Sequence, residues 1–262
     1  MPRVTLLTDF GTRDGYVGAM KGVIASIFPG VIIDDVSHSI EAGDIRSTAL
    51  VLARYWSRYP PGTIHVVVVD PGVGTERRAI AGEVDRRFFV APDNGVLSRV
   101  LDASEKSRIV QVENPEYILP EAGSTFHGRD VFAPAAAYLA RGVHLTRLGA
   151  RVQDPVRLEP ERVRKVDGAM EGKVISQDRF GNLVTNLPGS ALEGEADVQI
   201  GGQTIPVVKT YGEAAPERLA ALVNSDGRVE VAVRDGSAAR LLGAGVGTPI
   251  RITHSAAFEE SE

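Results

Sequence analysis

Residues Ile64, His65, Val66, Val67, Val68 and Val69 form a run that is β-branched except for one histidine. A strand without polar alternation has no face to offer water, so it belongs inside a sheet covered on both sides. Residues 4–7, 31–36 and 88–91 are also strand-like. Between them Val17, Met20, Ile24 and Ile27 repeat at helical spacing up to Pro29-Gly30, as do Ile45, Ala49, Leu52 and Trp56 up to Tyr59-Pro60-Pro61. A further helix is expected over 130–140. Strands alternating with helices of this length predict an α/β domain: three layers, with a mainly parallel sheet between helices.

The texture changes after about residue 150. Residues 154–166 are charged and contain proline, which suits a linker. Short strands are then expected at 172–176, 183–186, 197–200, 204–208, 219–223, 229–233 and 249–253. Gly-Gly, Pro-Gly, Asp-Gly and Asn-Ser turns separate them, a pattern that suits a small β-barrel or sandwich. We therefore expect an α/β domain over 1–160 and a smaller β-barrel-like domain over 168–262, with a loose tail from Ser255.

Composition narrows the chemistry. The chain has 262 residues, 43% apolar and 24% charged, with a formal net charge of -5 and no cysteine. The acidic balance argues against nucleic acid or an anionic membrane as partner. Without cysteine there is no disulfide, thiolate metal site or thiol nucleophile. No apolar run is long enough to span a bilayer, and no signal-peptide core precedes the first strand. A cytoplasmic location is expected.

Asp9, Asp70 and Asp93 each follow a strand-like run, and ligands of open parallel sheets bind beyond the carboxyl ends of strands. Aspartate at such a place is also a turn former or helix cap. That plainer reading is preferred for Asp93, while both stand for Asp9 and Asp70. The loop Asp70-Pro71-Gly72-Val73-Gly74-Thr75-Glu76-Arg77-Arg78 is glycine-rich but lacks the Lys-Ser/Thr ending of a phosphate loop and the full dinucleotide fingerprint. His127 and Asp130 lie in a polar, glycine-containing turn before a helix. His38, His127 and the acids would suffice for a metal site assembled in three dimensions. No Gly-x-Ser-x-Gly elbow occurs. In the second half, Asp178-Arg179-Phe180-Gly181-Asn182 and Asn224-Ser225-Asp226-Gly227 are rich in hydrogen-bonding groups, though both also read as turns.

Taken in order, Thr8-Asp9-Phe10-Gly11, Asp14-Gly15-Tyr16-Val17, Asp35-Val36-Ser37-His38, Val69-Asp70-Pro71-Gly72-Val73-Gly74, Phe126-His127-Gly128-Arg129-Asp130 and Asp178-Arg179-Phe180-Gly181-Asn182 resemble the S-adenosyl-L-methionine (SAM) hydrolases. These are also called SAM hydroxide adenosyltransferases and are relatives of bacterial fluorinase and chlorinase. The resemblance runs from residue 4 to about 253. It implies attack of water or hydroxide on ribose C5′ of SAM, giving adenosine and L-methionine without metal or cofactor. Carried over, Asp70, Arg77 and His127 are the water-activating trio, Arg77 being preferred to Arg78 on spacing. Asp9 falls at the position that binds the ribose hydroxyls, and Asp14 and Tyr16 at further ligand contacts. Asp178 and Asn182 fall at contacts to methionine and adenosine, and Tyr211, Asn224, Ser225 and Glu230 around adenine. The family also implies a homotrimer whose sites lie between one subunit's first domain and its neighbour's second. Because Asp70 and His127 are both present, the resemblance favours hydroxide over halide.

Three other readings remain at this point: a metal-dependent phosphoesterase built on His38, His127, Asp9 and Asp70, a non-catalytic adenosine or SAM sensor, and a halide-using 5′-halo-deoxyadenosine synthase.

Overall fold

The computed structural model describes residues 1–120 and 122–254. The tail from Ser255, expected to be loose, lies outside the described residues. The chain divides into two compact units, Met1–Glu159 and Pro160–Glu262.

The β-branched run forms β3 (Ile64–Val68), every residue of which is buried. It pairs in parallel with β1 (Arg3–Thr8) and β5 (Arg87–Pro92), and β1 pairs in parallel with β2 (Ile32–Ser37). Two further strands, β4 (Ala79–Val84) and β6 (Ser107–Gln111), complete a six-stranded sheet in the order β2-β1-β3-β5-β4-β6. Both β4 pairings are antiparallel, so the sheet is mixed though mostly parallel. Neither strand is foreseen above: Ala79, Ala81 and Gly82 carry little β-propensity.

Side-chain alternation sends the strands' residues into two cores. Val4, Leu6, Ile64, Val66 and Val68 pack with α1 (Tyr16–Ile27) and α4 (Ala133–Ala140). Leu7, Val67 and Phe89 pack with α2 (Ile45–Tyr55) and α3 (Ser98–Asp102) on the opposite face. This is the three-layer arrangement expected from the helical spacing. The helix expected over 130–140 differs in its first turn. Gly128–Phe132 is π-helical, and α4 begins only at Ala133. Within the sheet the chain leaves β1 through α1 to β2 on one side, then returns through α2 to β3 on the other. The order therefore reverses between β1 and β3, and their carboxyl ends flank a switch point where ligands bind in open sheets.

The second unit is an antiparallel sheet. Its strands are β7 (Arg164–Val166), β8 (Ala169–Gln177), β9 (Leu183–Pro188), β10 (Ala196–Ile200), β11 (Gln203–Ile205), β12 (Leu219–Val223), β13 (Arg228–Val233) and β14 (Pro249–His254). They run β11-β10-β14-β8-β9-β13-β12, with β7 on β8. Val207, just beyond β11, bridges to Ala221 in β12, so the sheet nearly closes into a barrel. Its interior holds Val174, Leu183, Leu187, Val198, Val229, Val231, Ile250 and Ile252. The strand expected at 204–208 is thus shorter and shifted. The stretch read as a linker also ends in structure, because β7 turns into β8 through Asp167 and Gly168, both at positive φ (48° and 74°) as a two-residue hairpin requires. Among the described residues no helix is long and apolar enough to cross a membrane.

Candidate active site

Asp9 and Asp70 follow β1 and β3 at the switch point. With Phe10, Tyr16, Ala42, Gly43 and Pro71 they line an open cleft of about 500 Å³. Asp9 Oδ2 accepts the Gly43 amide at 2.8 Å.

The loop after Asp70 doubles back on itself. Val73 N–H donates to the Asp70 carbonyl at 3.2 Å, and the Thr75 amide and hydroxyl donate to the Gly72 carbonyl at 3.2 and 2.7 Å. Gly74 has φ of 78°, and a Cβ there would stand 2.6 Å from the Ser124 carbonyl oxygen, so only glycine lets this loop lie against the segment before His127. The doubling returns Arg77 to Asp70. Arg77 Nε donates to both Asp70 oxygens at 2.9 and 3.0 Å; Nη2 donates to Oδ2 and reaches His127 Nδ1 at 2.7 Å. The guanidinium also lies over the Phe132 ring, 5.4 Å from its centroid.

That arrangement decides the state of His127. Arginine has donors only, so His127 Nδ1 must accept, and the ring proton sits on Nε2. Burial lowers the pKa of His127, and the adjacent Arg77 charge lowers it further, outweighing the pull of Asp70 and Asp130. The ring is neutral at neutral pH. His127 caps the π-helical turn, whose Asp130 is buried and accepts from Arg129 and from the Gly123 amide. Burial opposes the Asp130 charge, but these donors hold its pKa below the usual carboxylate range.

Arg78 points elsewhere. It donates to buried Asp93 and to the Asp154 carboxylate and carbonyl, and Asp93 also accepts the Val156 amide. Asp93 is therefore a structural anchor. His38 hydrogen-bonds Thr8 and contacts Asp35, and His127 Nδ1 is taken by Arg77. Among the described residues no group of three or more His, Cys, Asp or Glu side chains is arranged to hold a metal ion. The phosphoesterase constellation of His38, His127, Asp9 and Asp70 is not assembled.

Sequence reasoning overlooked an aromatic trio at the cleft. Phe10, Tyr16 and Phe126 have ring centroids 5.1–5.8 Å apart. All three lie inside motifs named above, but their mutual contact needs the fold. Asp14 is exposed beside them.

In the second unit two groupings form. Asp178 Oδ1 accepts the Phe180 and Asn182 amides, and Oδ2 accepts Asn182 Nδ2, all at 2.9 Å, closing a tight loop that leaves Phe180 exposed. Buried Glu230 accepts from Tyr211 O–H at 2.5 Å and Asn224 Nδ2 at 3.1 Å. Burial and the Glu230 carboxylate raise the Tyr211 pKa, so the phenol stays protonated. Ser225 is exposed in the adjoining turn.

An α/β sheet with acids at its switch point and an Arg-bridged Asp and His beside a cleft defines a small-molecule site of enzymatic type. The sequence profile of the SAM hydroxide adenosyltransferase N-terminal domain matches residues 4–149, and that of its C-terminal domain residues 172–251. The chain belongs to the SAM hydroxide adenosyltransferase family. An (R)-S-adenosyl-L-methionine hydrolase of Salinispora tropica is 40% identical, the match covering 96% of this chain and 98% of the relative. A fluorinase of Actinoplanes sp. is 28% identical over 81% of this chain and 84% of its own. The crystal structure of a conserved protein of Thermotoga maritima superposes with a TM-score of 0.90 at 35% identity, covering 96% of this chain and all of the other.

Proposed function

We propose that this protein hydrolyses SAM to adenosine and L-methionine by in-line attack of water or hydroxide on ribose C5′. The observation that carries the reading is Arg77 holding Asp70 and His127 together at a cleft that also contains Asp9. The names of the family and of the hydrolase relatives support it.

A sulfonium departs as a neutral thioether, so no general acid is needed. The demand is for an oxygen nucleophile fixed in line with the C–S bond, where orientation alone accounts for roughly 7–11 kcal/mol in favourable intramolecular reactions. In our reading His127 orients that oxygen by donating from Nε2, because its Nδ1 is occupied and its ring neutral. Asp70 accepts the proton, and Arg77 stabilises the charge developing on oxygen. Asp9 accepts from the ribose hydroxyls, Asp14 and Tyr16 flank them, Asp178 and Asn182 contact the ligand, and Tyr211, Asn224, Ser225 and Glu230 surround adenine. As the family resemblance implies, we further propose a homotrimer with each site shared between neighbouring chains, and a cytoplasmic location; the fall of these groups in both units fits such a shared site.

Chromatography after incubation with SAM tests the reading. Adenosine and methionine are expected in equal amounts, in chelator and without added metal. Asp70→Ala and His127→Ala should slow turnover by roughly 10²–10⁴-fold with adenosine binding largely intact. A 5′-halogenated nucleoside, activity lost to chelator, or no adenosine from SAM would overturn it.

A further inference from the structure

We propose that His38, acting through Thr8, is a positioning residue for the turn that carries Asp9. The inference rests on the reading of Asp9 as the ribose-binding carboxylate. His38 is 6% exposed and takes no part in the Asp70–Arg77–His127 grouping.

The direction of each contact follows from what the groups can donate. Phe10 N–H donates to Thr8 Oγ1 at 3.2 Å, occupying one lone pair of the hydroxyl. Thr8 Oγ1 lies 2.8 Å from His38 Nδ1. The hydroxyl's own proton can go to Nδ1, which leaves the imidazole proton on Nε2. Nε2 stands 3.0 Å from Asp35 Oδ1, short of good hydrogen-bond alignment. The other Asp35 oxygen takes the Lys21 ammonium. Burial raises the Asp35 pKa, but Lys21 and His38 outweigh it and hold it below the ordinary carboxylate value, so the anion persists to face Nε2.

The imidazole thus meets the Thr8 hydroxyl at one end and faces the Asp35 carboxylate at the other, and the chain of contacts ends on the Phe10 amide. The His38 carbonyl completes the hold by accepting the Gly11 amide at 2.8 Å. Two consecutive amides after Asp9 are therefore fixed by His38, one through Thr8 and one directly. The backbone of Asp9 is set by this hold, and its carboxylate by Gly43. A looser turn would leave the catalytic groups in place and misdirect the group that reads the ribose.

The test is calorimetric titration of adenosine and 2′-deoxyadenosine into wild type, Thr8→Val, Thr8→Ser, His38→Leu and His38→Asn. Wild type should prefer adenosine by about tenfold or more, as expected of a site built to hydrogen-bond a hydroxyl. Thr8→Val and His38→Leu should lose most of that preference. Their KM for SAM should rise about tenfold while kcat changes less than about threefold, because orientation and not chemistry is disturbed. Thr8→Ser keeps the hydroxyl, and His38→Asn can place an acceptor near the position of Nδ1; both should recover the preference. Circular dichroism identifies a variant that fails to fold, and if His38→Leu does so, the Thr8 pair decides. Folded Thr8→Val and His38→Leu with wild-type preference would overturn the inference. Wild type that binds adenosine without preference, or not at all, would remove the ribose reading and this inference with it.

Discussion

Adjacent arginines show how far one residue's place changes its meaning. Arg77 and Arg78 sit together where the glycine-rich loop enters β4, and spacing alone ranks one above the other. Successive side chains on an extended backbone point to opposite sides, and here they reach different partners. Arg77 meets Asp70 and His127, whereas Arg78 ties Asp93 to the 154–156 segment. Their removal should therefore fail in different ways. Arg78→Ala leaves a buried carboxylate with little beyond the Val156 amide, so it should cost about 1–3 kcal/mol in urea unfolding with kcat nearly unchanged. Arg77→Ala should lower kcat by roughly 10²–10³-fold, as loss of a preorganised electrostatic group does. The reverse pattern would reassign the arginines. The candidate carboxylates were legible as acids at strand ends. The tautomer of His127 was not, because it depends on which partner meets Nδ1, and that partner is 50 residues away in the chain.

Among the elements, β3 was the most legible, since an unbroken β-branched run has one physical solution. Strands β4 and β6 were hidden because alanine, glycine and glutamate dilute β4, and serine, arginine and glutamine surround the lone Ile109-Val110 pair of β6. Their pairing partners more than their own side chains make them strands. The π-helical turn before α4 has no local signature either. The histidine inside β3 has a consequence for acid stability. His65 is fully buried, its Nδ1 meets Thr5 Oγ1 at 2.8 Å, and burial, aided by the Arg87 charge, pushes its pKa down to about 3. The unfolded chain, with an ordinary histidine pKa near 6.5, binds this proton more readily than the folded one. Stability from His65 is thus full above pH ~6.5 and is lost as the pH falls toward the folded value, by about 3 kcal/mol at pH 4. Urea unfolding from pH 7 to 4 should show this fall in wild type. His65→Asn, which can keep a partner for Thr5, should show a clearly shallower one. The remainder comes chiefly from His127 and, near pH 4, from Asp35 and Asp130, whose pKa values are also lowered. Equal slopes in both proteins would mean that His65 does not titrate between the two states.

For the whole molecule, the groups proposed to act on or bind the ligand are divided between the two compact units: Asp9, Asp70, Arg77 and His127 in the first, and Asp178, Asn182, Tyr211 and Glu230 in the second. The order of motifs along the chain made this legible, whereas the internal hydrogen bonds of each group needed coordinates. The proposed site shared between neighbours in a trimer makes a quantitative claim. Asp70→Asn should silence the first-unit half of every site. Glu230→Gln should silence the second-unit half, since an amide presents a donor where the carboxylate accepts from both Tyr211 and Asn224. Each variant alone then has no intact site. In trimers assembled from equal amounts of both, an intact first unit meets an intact second unit in about one quarter of the sites, the product of two independent halves in a ring of head-to-tail contacts. Co-expressed and purified together, the two dead variants should therefore recover about a quarter of wild-type turnover, and size-exclusion chromatography with light scattering should give three chains per particle. A mixture no more active than its two parents would confine each site to a single chain. That result would leave SAM hydrolysis standing while removing the shared site.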